Sequence, residues 1–248
     1  MSTKRKAPTK KTKKVSKPFR PPRRASAPVI PGLLMQTGTE KKVLCTNSTF
    51  AASTLALNTT GTILALNLIQ VGSSMFNRIG RRIEMKSVRF TARLDTLAVT
   101  RDADTDYARI AIVYDRQTNA ALPAITAVFQ DTTQDGTNST NAMSGVNMNN
   151  RERFVVIMDK RFGLPNTTNT AGVLTNTYPN GDSQHVIIDE FRKMRGLTTH
   201  YGADSNPAVI GDITTGGLYI ITITSVHASG AEQFALNPWN VRLKYIDV

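Results

Sequence analysis

Every acidic residue of this chain lies beyond position 39. The first is Glu40, and ahead of it residues 1–24 carry eleven of the 31 Lys and Arg: Lys4, Arg5, Lys6, Lys10, Lys11, Lys13, Lys14, Lys17, Arg20, Arg23 and Arg24. This segregation splits the chain into two folding problems. Residues 1–27 are Lys, Arg, Pro, Ser and Thr with almost no large apolar side chain. Such a segment cannot bury enough surface to offset its ordering entropy, so it is expected to be disordered on its own. Pro18, Pro21, Pro22 and Pro28 stiffen its second half toward polyproline II. The remaining residues hold 20 Lys and Arg against 18 Asp and Glu. With 40% hydrophobic residues overall, they can bury a core, and a single domain over 28–248 is within the usual range for an all-β fold.

The body reads as strands separated by long loops. Lys41–Thr46, Thr62–Leu68, Arg82–Leu97, Arg109–Tyr114, Phe154–Met158, Val186–Ile188, Leu218–Thr224 and Val241–Ile246 are β-rich runs, eight in all. In the third, Ile83, Met85 and Ser87 share one parity and Arg82, Glu84 and Lys86 the other. The phase then shifts near Val88–Phe90, which predicts a bulge there. Only Pro123–Gln130 reads as a short helix. Eight strands, few helices and long polar loops predict an all-β jelly roll of two packed four-stranded sheets.

Signals for catalysis are weak. His185, His200 and His227 lack ligand spacing, and no nucleophile elbow, Walker loop or GxGxxG occurs. Neither a catalytic site nor a cofactor is expected, and the chain is not expected to be an enzyme. Cys45 is the only cysteine, so no internal disulfide or multi-cysteine metal site can form. Asp102, Asp104 and Asp106 resemble the start of a calcium loop. Tyr107 and Val113 stand where that loop needs Gly and Glu, so it is excluded. A solvated acidic turn is one reading of the three; a cation site shared between subunits is the other.

Eleven positive charges without an acid suit sequence-independent binding of phosphate. A membrane-bound arm would need an apolar face or a lipid anchor, and neither is present. No apolar run approaches the roughly 18 residues of a membrane span, and no apolar stretch follows the basic start to make a secretory signal. The clusters at 4–6, 10–14 and 21–24 also read as addresses for nuclear-import receptors. A second basic cluster, Arg78, Arg81, Arg82, Lys86, Arg89 and Arg93, is either a solvated sheet face or an extension of the nucleic-acid site.

The segments RIAIVYDRQTNAALPAITAVFQD (109–131) and NMNNRERFVVIMDKRF (147–162) resemble coat proteins of small circular Rep-encoding single-stranded DNA viruses, the circovirus- and geminivirus-like group. GGLYIITIT (216–224) and NVRLKYID (240–247) look like that group's last two strands. NRIGRRIEMKSVRF (77–90) is similar both to this group and to the coat proteins of satellite RNA viruses. The resemblance spans roughly 77–247, loops apart. It implies a virion protein that reaches the host nucleus during assembly. Its 28–248 body would be a jelly-roll shell domain, closing with about 60 copies of itself around single-stranded nucleic acid, in an extension of the closed-symmetry rule. The competing readings are a cellular nucleic-acid-binding protein with a basic tail, which should carry exposed aromatics on a sheet or a helix-turn-helix, and a jelly-roll enzyme, which needs clustered acids.

Overall fold

The computed structural model describes residues 41–47, 55–96, 106–131, 139–164, 185–225 and 234–248. All belong to the compact unit that begins at Thr39. The strands are β1 (Lys41–Asn47), β2 (Leu55–Leu57), β3 (Thr62–Ala65), β4 (Arg82–Thr96), β5 (Asp106–Asp115), β6 (Phe154–Leu164), β7 (His185–Tyr201), β8 (Ile213–Thr215), β9 (Gly217–Thr224) and β10 (Phe234–Asp247). A single α-helical turn, α1, covers Ile125–Val128, inside the segment that the sequence marks as helical. No described helix is long and apolar enough to cross a membrane.

Sheet A runs β1-β10-β4-β7-β8, with β2 also on β10, and sheet B runs β3-β9-β5-β6. Without the three-residue strands β2 and β8, eight strands remain. Their order is first-eighth-third-sixth in one sheet and second-seventh-fourth-fifth in the other, with every pairing antiparallel. This is the jelly roll that the strand spacing predicts, and all eight predicted runs lie in or overlap its strands. The phase shift in β4 is also present, two residues earlier than expected. Lys86 is skipped in the pairing with both β10 and β7. The buried set accordingly changes from Ile83 and Met85 to Val88, Phe90, Ala92 and Leu94.

The sandwich has two cores. Between the sheets lie Ile83, Val88 and Phe90 of β4, Ile110 and Ile112 of β5, Leu218 and Ile220 of β9, and Val241, Leu243 and Tyr245 of β10. On the far side of sheet B, the intervening residues Ala111, Val113, Tyr219, Ile221 and Ile223 pack against Val128, Phe129 and Phe154. The connection after β5 therefore roofs sheet B. Strands β5 and β9 are buried on both faces, which explains why they read as continuous apolar runs rather than alternating ones.

Where β8 passes into β9, Gly216 has φ +83°, and a Cβ there would lie 2.1 Å from the Thr198 carbonyl oxygen. The Gly216 carbonyl accepts from Asn67 Nδ2 at 2.9 Å and from Thr199 Oγ1 at 2.8 Å, tying the turn to β7. Gly216→Ala should therefore destabilise the fold by at least about 1–3 kcal/mol, the typical cost of a strained backbone. A lower urea midpoint with an unchanged m-value would show it.

Candidate nucleic-acid interface

Of the two outward sheet faces, that of sheet B is roofed, and that of sheet A carries exposed side chains. Strand alternation decides which residues these are. Past the Lys86 bulge, Arg89, Thr91 and Arg93 of β4 point away from the core. Cross-strand register sets Arg242 beside Arg89, Asn240 beside Thr91 and Lys244 beside Ser87 on one flank. On the other it sets Phe191 beside Arg89, Asp189 beside Thr91, Lys193 beside Ser87 and Ile187 beside Arg93. Cys45 of β1 extends the same row beyond Arg242.

Three of these cations are neutralised locally. Arg89 grips Asp189 through two hydrogen bonds of 2.9 and 2.6 Å. That hydrogen bonding holds the Asp189 carboxyl below the ordinary carboxylate range, so the pair stays closed at neutral pH. Arg93 pairs with Asp95 at 2.8 Å, and Lys86 pairs with Glu84. Arg242, Lys244 and Lys193 are exposed and have no ionic partner among the described residues. Like charges opposite one another destabilise a sheet, and Asp189 answers only one arginine of the Arg89–Arg242 pair. The face thus keeps a surplus of positive charge. Beside it runs a shallow cleft of about 630 Å³ between Asn47, Thr91, Ile187 and Asn240.

The second basic cluster of the sequence is divided by the fold. Arg89 and Arg93 lie on the sheet A face, and Lys86 stands at its bulge. Arg82 is exposed at the start of β4, and Arg81 is 72% exposed with Asp204 at 3.9 Å. Arg78 departs from the expected surface cluster. It is 0% exposed, donates to the Ile69, Gly80 and Ala203 carbonyls and to Asp204, and lies 4.0 Å from the Tyr201 ring centre. A guanidinium with this set of partners locks the connection between β3 and β4 to the loop before β8, and its burial keeps it from phosphate.

Arm residues Lys4 to Arg24 lie outside the described residues, as do Asp102 and Asp104; Asp106 opens β5. Among the described residues, no three His, Cys, Asp or Glu side chains gather where they could hold a metal ion. Charges on and beside β5 and β6 pair within the chain. Arg109 binds Asp159 at 2.7 Å, and Arg153 binds Asp115 at 2.8 Å.

The sequence reading did not single out Arg242, Lys244 and Lys193. A signal existed for two of them, because Arg242 and Lys244 alternate with Val241, Leu243 and Tyr245. Lys193 joins them only through register, some fifty residues away in sequence.

No curated protein matches the sequence. Among solved structures, the chain is similar to the VP1 protein of Trichodysplasia spinulosa-associated polyomavirus, at 10% identity and TM-score 0.24, over 84% of this chain and 93% of that one. It is also similar to VP1 of Merkel cell polyomavirus, at 13% identity and TM-score 0.19, over 88% and 89%. Likenesses this distant add no argument to the strand order, which defines the architecture by itself. The sequence match is of another kind. The family described as geminivirus coat protein/nuclear export factor BR1 covers residues 1–248, the basic arm and the jelly roll together, and the chain belongs to that family.

Proposed function

We propose that this coat protein closes with about 60 copies of itself into a small icosahedral shell, and that it packages single-stranded DNA with its basic arm and the outward face of sheet A. Coat-protein membership makes it a structural protein of the virion that works as a homo-oligomer. The observation that carries the packaging reading is charge placement. The open sheet face holds Arg242, Lys244 and Lys193 without acids to answer them, and the arm adds eleven cations before the first acid. A polyanion supplies what both lack, through phosphate neutralisation that ignores sequence. The clusters at 4–6, 10–14 and 21–24 suit an import receptor before the genome takes them, which would bring the protein to the host nucleus for assembly.

Cys45 makes the test simple. It is the single cysteine, it is exposed, and it neighbours Arg242 on the proposed binding face. Purified protein should form closed particles in negative stain, and their cargo should be digested by a DNase and not by an RNase once the particles are opened. In disassembled subunits, alkylation of Cys45 should slow several-fold when single-stranded DNA is added. Particles without nucleic acid, together with an alkylation rate that DNA does not change, would refute the packaging face.

A further inference from the structure

Phe191 is an aromatic ring with no place in either core. It is 52% exposed on β7, in the middle of the open face of sheet A. Its cross-strand neighbour is Arg89, and the next residue along the same row is Arg242. Lys193 follows two positions on, at the same side of the strand, with Lys244 across Ser87 from it. Neighbouring strands lie about 4.8 Å apart, so Arg242 and Phe191 are separated by roughly 10 Å at the backbone. One ring is thus bordered by three cations that have no ionic partner among the described residues.

We infer that Phe191 is a stacking platform for an unpaired base, with Arg242, Lys244 and Lys193 holding the phosphates on either side of it. The inference rests on the nucleic-acid reading of this face and adds how a strand is held there. A large exposed aromatic in a sheet costs hydration and gains no packing, so it needs an occupant with an apolar surface. Charge complementarity narrows the choice, because the ring is surrounded by cations and an apolar protein partner would have to desolvate them. A nucleotide offers both parts at the right scale, a flat π-face for the ring and a phosphate for each cation. Sheet aromatics that stack bases while flanking Arg and Lys take the backbone are a recurring solution for single strands. The cleft beside Thr91, bordered by the Asn47 and Asn240 side chains and the apolar Ile187, has room for the next base and offers it amide groups. The arrangement selects single strands over duplex, since a paired base cannot present its face to the sheet.

The test uses the full chain and three probes: an oligothymidylate of about a dozen nucleotides, in the site-size range of such folds, an abasic oligomer of the same length and charge, and a duplex. Phe191→Trp places a reporter on the platform; the native Trp239 is 6% exposed but lines the adjoining cleft, so its response is measured in the wild type and subtracted. Oligothymidylate should quench the new tryptophan, and the abasic oligomer and the duplex should not. Phe191→Ala should weaken oligothymidylate binding by about tenfold at elevated salt, the loss of one stacked base, and leave abasic binding unchanged. Phe191→Tyr should restore it. If Phe191→Ala changes nothing while Arg242→Glu with Lys244→Glu still weakens binding, the platform is overturned and the basic face stands. If neither pair of changes matters, the face reading falls as well. If Phe191→Ala leaves DNA binding intact and lowers particle yield, the ring belongs to a contact between subunits, and the inference is wrong.

Discussion

Replacing Arg109 by Ala should cost the fold about 3–5 kcal/mol, the range for breaking a buried ion pair from one side. Arg109 sits on β5, facing the roofed side of sheet B, and is 1% exposed. It donates to both Asp159 oxygens at 2.8 and 2.7 Å and to the Ser144 carbonyl, and its guanidinium lies 3.7 Å from the Phe129 ring centre. One side chain therefore joins β5, β6 and the connection that covers them. Without it, the Asp159 carboxylate and the Ser144 carbonyl lose their donors beneath the roof, and the space under Phe129 empties. The loss is expected to come from the unpaired carboxylate more than from the missing attraction. Arg109→Met combined with Asp159→Leu should then recover most of the stability lost by the single change, since a matched apolar pair leaves no charge to solvate. Arg89→Ala is the contrast. Its pair with Asp189 is about half exposed on both sides, where water screens the attraction and little stability depends on it. Urea midpoints of the three variants decide the matter, and an Arg109→Ala protein as stable as Arg89→Ala would mean that the roof does not depend on this ion pair.

The fate of these two arginines shows how far the sequence could be read. Strand existence was legible because alternation is local: Ile83 and Met85 against Glu84 and Lys86 is a pattern of neighbours. The two-sided burial of β5 and β9 was legible as well, as unbroken apolar runs. Less was visible in β7. Beyond Ile188 its outward positions are Asp189, Phe191 and Lys193, while Glu190 is drawn to Lys160 of the other sheet at 3.1 Å. That pattern of charges left the strand unread from Asp189 to Tyr201, thirteen of its 17 residues. The site was legible by density alone, and density misled. Arg78 to Arg93 looked like one cluster, but a bulge at Lys86 and a buried loop at Arg78 give its members different surroundings. Arg242 and Lys244 of β10 and Lys193 of β7, which have no ionic partner among the described residues, lie on strands far apart in sequence, and only antiparallel register brings the two strands together. Phe191 was missed for the same reason, since exposure is a property of a face and not of a run of residues.

Removal of residues 1–27 should change the salt dependence of single-stranded DNA binding more than any substitution in the body. Each phosphate neutralised on a single strand contributes about −0.7 to the slope of log affinity against log salt. Eleven arm charges on one strand give a slope near −8 by that count, with a smaller value expected because a polycation need not engage every residue at once. The proposed sheet A site offers Arg242, Lys244 and Lys193, so an arm-deleted protein that binds through it should retain a slope of about −2. Replacing Lys10, Lys11, Lys13 and Lys14 by neutral residues should flatten the full-length slope by up to about 3 and weaken all sequences alike. The same arithmetic applies inside a shell. In the proposed shell of roughly 60 copies, the arms would bring about 660 charges, and three sheet A cations per subunit would add about 180 more. A genome of one to two thousand nucleotides would still exceed this, so counterions must complete the neutralisation, and packaged length should respond to arm charge. Titrations of single-stranded DNA at several salt concentrations, with wild type, the four-site variant and the deletion side by side, measure all three slopes. Equal slopes with and without the arm would move the binding site wholly onto the jelly roll. A deletion protein with no measurable binding would leave the arm as the only contact and remove the sheet A face from packaging.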